Sequence, residues 1–315
     1  MMQLDPDQLQ ALAASVSEGT FDAAARKLHV TPSAISQRIK ALESSVGRAL
    51  VVRSKPVRPT SSGETVLRAA RQLQAITDDL AAELGETGRD DGSHRPGAPP
   101  VVPIAANADS LDTWLLPALA RVDAPIVFDI FRDDEGRTAE FLRQGEVMAA
   151  VTASSAPIPG CTLTRLGDMW YRPKATPRFV EQWFPEGPTP SALATAPVVR
   201  FDRGDDMQDR YIRRRAHRAL DPPGHYVPGS HAFYQAVRLG LGWALIPDLQ
   251  DDPETSELVE FDPQGAVPVT LHWQQWRLGS RPLDLVAAAV LSGAASMLDA
   301  RAPRAGARTG AEAAK

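Results

Sequence analysis

The sequence predicts an α/β multidomain chain: an N-terminal winged helix-turn-helix, a long helix suited to pairing with a copy of itself, and a C-terminal α/β body. Three observations predict it. Between Phe21 and Leu42 two short runs carry apolar residues at three-to-four-residue spacing, first Ala23, Ala24 and Leu28, then Val30, Ala34, Ile35, Ile39 and Leu42. From Val66 to Leu84 the spacing becomes the alternating four-three repeat of a coiled-coil seam. Beyond residue 100, short apolar runs alternate with segments of helical spacing.

Asp5 to Ser17 reads as a first helix, with Leu9, Leu12, Ala13 and Val16 on one face and Gly19-Thr20 ending it. The second and third helices meet at His29-Val30-Thr31-Pro32. Thr31 can offer its hydroxyl to an unpaired amide, and Pro32 suits a first helical position, where its missing N–H costs nothing. The small alanines allow close approach, so the third helix turns Ser33, Ser36, Gln37, Arg38 and Lys40 outward. Gln and Arg can make paired hydrogen bonds to base edges, and Thr, Ser and Lys can bind phosphate oxygens. Taken alone, the pattern is equally that of a helical hairpin with a solvated face. After a turn at Gly47, residues 49–52 and 56–60 read as a two-stranded wing. Arg53, Lys55 and Arg58 at its tip could reach DNA backbone or minor groove, or serve solubility alone.

Charge divides along the chain. The net charge is −5, yet residues 1–60 hold eight Lys/Arg against five acids, leaving +3 on the head and −8 on the rest. A basic head on an acidic body suits electrostatic docking onto phosphates.

The stretch LQALAASVSEGTFDAAARKLHVTPSAISQRIKALESSVGRALVVRSKPVRPTSSGETVL resembles the DNA-binding module of LysR-type transcriptional regulators from end to end. NADSLDTWLLPAL, Asn107 to Leu119, and AVRLGLGWALIPD, Ala236 to Asp248, are similar to the branch that answers to lysine, arginine or histidine, the ArgP/LysG kind. The resemblance implies a winged helix-turn-helix over 1–60 and a dimerisation helix over 61–85, and the Gly-, Pro- and charge-rich composition of 86–100 reads as a flexible linker. It further implies a two-lobed, periplasmic-binding-protein-like effector domain: lobe I is 101–172 plus 275–301, and lobe II is 173–274. The tail, 302–315, is small and polar enough to be disordered.

In the long helix Val66, Ala70, Leu73, Thr77, Leu80 and Leu84 form the expected dimerisation seam. Some 23 residues at ~1.5 Å each give roughly 35 Å, about one turn of DNA, so a paired helix can set two heads on successive major grooves. GETGRDDGSHRPGAPP then has almost nothing to bury. In the body, VVPIAA (101–106), PIVFDIF (125–131), VMAAVTA (147–153) and APVVRF (196–201) read as buried strands of a largely parallel sheet.

A small ligand is expected at strand ends and at the starts of the following helices. The candidate effector contacts are Asp109, Ser110 and Thr113 after the first strand, Glu135 after the second, Thr152 on the third, Asp202 after APVVRF, and His231 opening a later helix. Asp109 or Ser110 is also expected to cap its helix. Two acidic loops, Asp133-Asp134-Glu135 and Asp202 to Asp206, would favour a cationic side chain, unless nearby arginines neutralise them.

Other classes find little support. No G-x-x-x-x-G-K or G-x-S-x-G occurs, Gly240-Leu241-Gly242 lacks the remainder of a dinucleotide fingerprint, and the six histidines form no pair at metal-binding spacing. Neither a metal nor a cofactor is expected, and the chain is not expected to be an enzyme. No run approaches the roughly 18 apolar residues of a membrane span, no signal sequence is recognisable, and the single Cys161 agrees with a reducing compartment. The expectation is a cytoplasmic, homodimeric or homotetrameric DNA-binding transcriptional regulator controlled by a basic amino acid, by resemblance at the promoter of an amino-acid exporter. Its partners would be double-stranded DNA and a small-molecule effector, with RNA polymerase a further candidate. A ligand-indifferent or architectural DNA binder is the alternative, and a solute-binding protein or enzyme the remote one.

Overall fold

The computed structural model describes residues 4–83, 99–132, 138–251 and 255–298. Leu84, Glu135, most of the expected linker and the whole expected tail lie outside the described residues.

Three helices open the chain, α1 (Pro6–Ser17), α2 (Phe21–Lys27) and α3 (Pro32–Val46). Each starts on a side chain that accepts first-turn amides: Asp5 from Asp7 and Gln8, Thr20 from Ala23, and Thr31 from Ala34. Gly47, at φ +72°, closes α3 in the left-handed region that glycine reaches without strain. Leu9, Leu12, Ala24, Ile35, Ile39 and Leu42 fill the core between them. The wing is a short antiparallel pair, β1 (Val51–Val52) with β2 (Arg58–Pro59). The Val57 amide ties it to the Gly19 carbonyl, and Glu43 Oε1 accepts the Leu50 amide at 2.8 Å.

Helix α4 (Ser61–Glu83) begins against this head. The Thr60 hydroxyl accepts the Gly63 amide, and a Cβ at residue 63 would collide with the Leu50 carbonyl oxygen, so only glycine permits the approach. Val66, Leu67 and Ala70 complete the head's core. Farther along, Leu73, Ile76, Thr77 and Leu80 are exposed.

The rest of the chain runs β3 (Val101–Ala106), α5 (Ala108–Ser110), a π-helical turn (Leu111–Leu115), α6 (Leu116–Leu119), β4 (Val127–Arg132), α7 (Thr138–Gln144), β5 (Ala149–Thr152) and β6 (Cys161–Ala175). It continues with α8 (Pro177–Trp183), α9 (Pro190–Thr195), β7 (Val198–Arg200), α10 (Met207–Ala216), β8 (Gly224–Tyr226), α11 (Ser230–Arg238), β9 (Ala244–Pro247), β10 (Val259–Glu260), β11 (Val267–Trp276) and α12 (Arg281–Met297).

Two compact units divide these elements. The first takes in Met1–Ala106, Val122–Thr164 and Trp273–Ala288, and therefore holds the head together with β3, β4, α7 and β5. There β3 lies parallel to β4 from Val101↔Val127 to Ala106↔Arg132, and parallel to β5 at Ile104↔Ala149. The second takes in Asn107–Arg121, Arg165–His272 and the chain from Ala289 on. Its pairing is antiparallel where β6 meets β9, Tyr171↔Pro247 to Lys174↔Ala244, and parallel between β7 and β8. Trp243 and Tyr211 are buried at its centre, with Phe184 stacked on Phe261 at 4.3 Å between ring centroids. Among the described residues no helix is long and apolar enough to cross a membrane.

Candidate functional site

The outward face of α3 follows from the helical period. At about 100° per residue, Ser33, Gln37 and Lys40 fall on one stripe opposite Ile35, Ile39 and Leu42, and all three are exposed. Ser36 flanks that stripe, Arg38 lies nearer the buried side, and both are half-buried. Arg38 Nη2 donates to Asp7 Oδ2 at 2.7 Å, which ties it to the first turn of α1. The Thr31 hydroxyl is occupied by its capping bond and lies 2.9 Å from Ser33 Oγ. On the wing Arg53, Lys55 and Arg58 are all exposed, and the Arg53 guanidinium stands 6.0 Å from the Phe21 ring centroid. The resulting surface offers exposed cations and amide or hydroxyl donors from one helix and one hairpin, the chemistry that phosphates and base edges require.

A second polar constellation lies in the body, around Asp109. Its carboxylate accepts Tyr171 Oη at Oδ2, 2.8 Å, and Ser230 Oγ at Oδ1, 2.7 Å. Ser230 in turn accepts from Gln250 Nε2 at 3.1 Å. Asp109 makes no ion pair among the described residues, although part of it remains open to solvent. Loss of water around the carboxylate pushes its pKa above the ordinary carboxylate value, and the nearby Asp112 and Asp205 push the same way against the two hydroxyl bonds. Asp205 is likewise raised by burial. Three further buried polar atoms, the amide oxygens Asn107 Oδ1 and Gln250 Oε1 and the hydroxyl Ser110 Oγ, have no hydrogen-bond partner among the described residues. Other acids of the second unit differ, because they already hold cations: Asp248 and Glu260 pair with Arg172, Asp251 with Lys174, and Asp209 with Arg200.

The other sequence candidates take distinct places. Asn107 occupies the N-cap position of α5 and Ser110 that of the π-helical turn at Leu111–Leu115, but neither side chain makes a capping bond, and Asp109 is inside α5, which corrects the expectation that Asp109 or Ser110 caps through its side chain. Thr113 donates back to the Asp109 carbonyl at 2.6 Å. Asp202 Oδ1 accepts the amides of Gly204 and Asp205, closing a tight turn after β7. His231 is exposed one residue past Ser230. Thr152 belongs to the first unit, where it is buried at the end of β5 and accepts the Ser154 amide. Burial pushes the Cys161 thiol up to about 11, so it stays protonated at neutral pH. Tyr171, Ser230 and Gln250 carry no local signature beyond the Pro228-Gly229 turn ahead of α11.

A winged helix-turn-helix with a cationic outer face, carried on a long helix ahead of an α/β body, defines a DNA-binding transcriptional regulator. Residues 6–64 match the model of the bacterial regulatory helix-turn-helix protein, lysR family, and residues 100–294 match the LysR substrate binding domain. The chain belongs to the LysR family and is of the ArgP/LysG type. It is 40% identical over 279 residues to the HTH-type transcriptional regulator LysG of Mycobacterium tuberculosis, covering 88% of this chain and 89% of that one. The crystal structure of ArgP from Mycobacterium tuberculosis aligns with a TM-score of 0.85 at 39% identity, covering 94% of this chain and 99% of that one. Full-length LysG from Corynebacterium glutamicum with the effector Arg bound aligns at 0.78 and 33% identity, covering 94% and 100%. The chain is thus a regulator and not an enzyme.

Proposed function

We propose that this regulator senses a basic amino acid, lysine, arginine or histidine, and acts on an amino-acid exporter gene. The observation that carries the reading is Asp109, a desolvated, partly exposed carboxylate that pairs with no cation among the described residues, accompanied there by two buried amide oxygens and one buried hydroxyl without partners. Such a set calls for a ligand rich in N–H donors and positive charge, which an ammonium or guanidinium group supplies. The arginine bound to the related LysG of Corynebacterium glutamicum supports the same class. Asp109, Ser110, Thr113, Asp202 and His231, all on the second unit, are its candidate contacts. Residues 101–172 with 275–301 and residues 173–274 act as the two lobes that respond.

DNA contact falls to Ser33, Gln37 and Lys40, with Thr31, Ser36 and Arg38 at the flank and Arg53, Lys55 and Arg58 on the wing. The protein works as a homodimer or homotetramer. Leu73, Thr77 and Leu80, with Ile76 beside them, supply its helical seam, because the apolar side chains of Leu73, Ile76 and Leu80 are exposed on one chain alone. Calorimetric titration of the full chain with arginine, lysine, histidine and leucine tests the effector. Saturable heat is expected for one or more of the basic three, lost in Asp109→Asn. Absence of heat for all three from folded wild-type protein contradicts the reading.

A further inference from the structure

Helix α7 ends in a closed turn that leaves two carbonyls over. The Glu146 amide donates to the Phe141 carbonyl at 2.8 Å and the Gly145 amide to Leu142 at 3.3 Å, with Gly145 at φ +74°. The carbonyls of Arg143 and Gln144, at the negative end of the helix dipole, take donors from α4 instead. Arg68 Nη1 reaches Arg143 O at 3.4 Å, and Arg71 Nη1 reaches Gln144 O at 2.8 Å. Arg71 has a second engagement: its Nη2 donates to Ser17 Oγ, at the end of α1 in the DNA-binding head, at 3.2 Å. Glu146, following the turn, adds a favourable charge. The two backbones are also close, since a Cβ at residue 145 would lie 3.1 Å from Arg68 Cα. Head, α4 and α7 all belong to the first compact unit.

We infer that Arg71 couples the DNA-binding head to the body: one planar guanidinium holds the end of α1 and the end of α7 to α4, so a displacement of α7 is passed to the head. A fork with several fixed donors can bridge two acceptors in this way, and an ammonium on a flexible stem cannot hold the same geometry. The inference is independent of which ligand the body binds.

Hydrogen–deuterium exchange on the full-length protein tests it with Arg71→Ala, Arg71→Lys and Gly145→Ala. Arg71→Ala is expected to speed exchange about tenfold both at residues 142–147 and at residues 14–19, with the amides around Ile35 and Ile39 unchanged. Arg71→Lys should fall between wild type and Arg71→Ala. Gly145→Ala, which strains the turn after α7 at φ +74° and crowds Arg68 Cα and Arg71 Cδ on α4 while leaving Ser17 untouched, should speed exchange at residues 14–19 as well. The inference is overturned if Arg71→Ala leaves either end unchanged, if Gly145→Ala affects α7 alone, or if exchange rises equally around Ile35 and Ile39, which would mark general unfolding of the head.

Discussion

Lys174 meets Asp251 at 2.5 Å with both side chains almost wholly out of water. Burial raises the Asp251 pKa, but hydrogen bonds from Lys174, Tyr234 and Ser256 outweigh it and hold the carboxyl below its ordinary value. Lys174→Met strands that carboxylate and should cost about 3 kcal/mol in denaturant unfolding near neutral pH. Because the folded value is depressed, this contribution is present above the unfolded carboxylate pKa of roughly 4 and disappears as pH falls through the folded one. The gap between wild type and variant should therefore narrow in acid. Asp109 has the opposite sign: desolvation favours its protonated form, so its contribution to stability is present at low pH and is lost as pH rises through the raised value. A cationic ligand favours the ionised form. Arginine affinity should then weaken as pH drops through that raised value, with proton release visible as a buffer-dependent heat; a pH-independent affinity would contradict the role given to Asp109.

At the scale of the element, α4 divides its work between its two ends. Its first turns are committed to the head through Val66, Leu67 and Ala70, whereas Leu73, Ile76 and Leu80 stay exposed. Leu73→Asp and Leu80→Asp should each shift the full chain toward monomer in sedimentation velocity without unfolding the head, while Val66→Asp should unfold the head. On α3, Lys40→Ala should weaken DNA binding regardless of sequence and lower the salt slope by about 1, as one phosphate contact requires. The elements themselves were largely legible, because helix periods, caps and the apolar run of β3 are local patterns. The double use of α4 was not, since a buried head contact and an outward seam share the same four-three spacing. Less legible still was the surrounding of Asp109: Tyr171 is 62 residues away along the chain and Ser230 is 121, so no window of sequence places their hydroxyls on one carboxylate. Arg71 likewise reads as one more surface arginine of an amphipathic helix until α7, 73 residues on, is placed beside it.

For the molecule as a whole, charge and packing act together. A head of net +3 on a chain of net −5 is drawn to DNA by its own end alone, and the body carries the groups that would bind a cation. Ligand and DNA can influence one another only if the ligand distinguishes between two arrangements of the chain. The most direct measurement is the DNA protection pattern of the full-length protein on a duplex it selects, with and without arginine, for wild type and Asp109→Asn. The account predicts that arginine changes the affinity or the extent of protection for wild type, while Asp109→Asn binds the same duplex but ignores arginine. An identical pattern with and without arginine, lysine or histidine in the wild-type protein would contradict it.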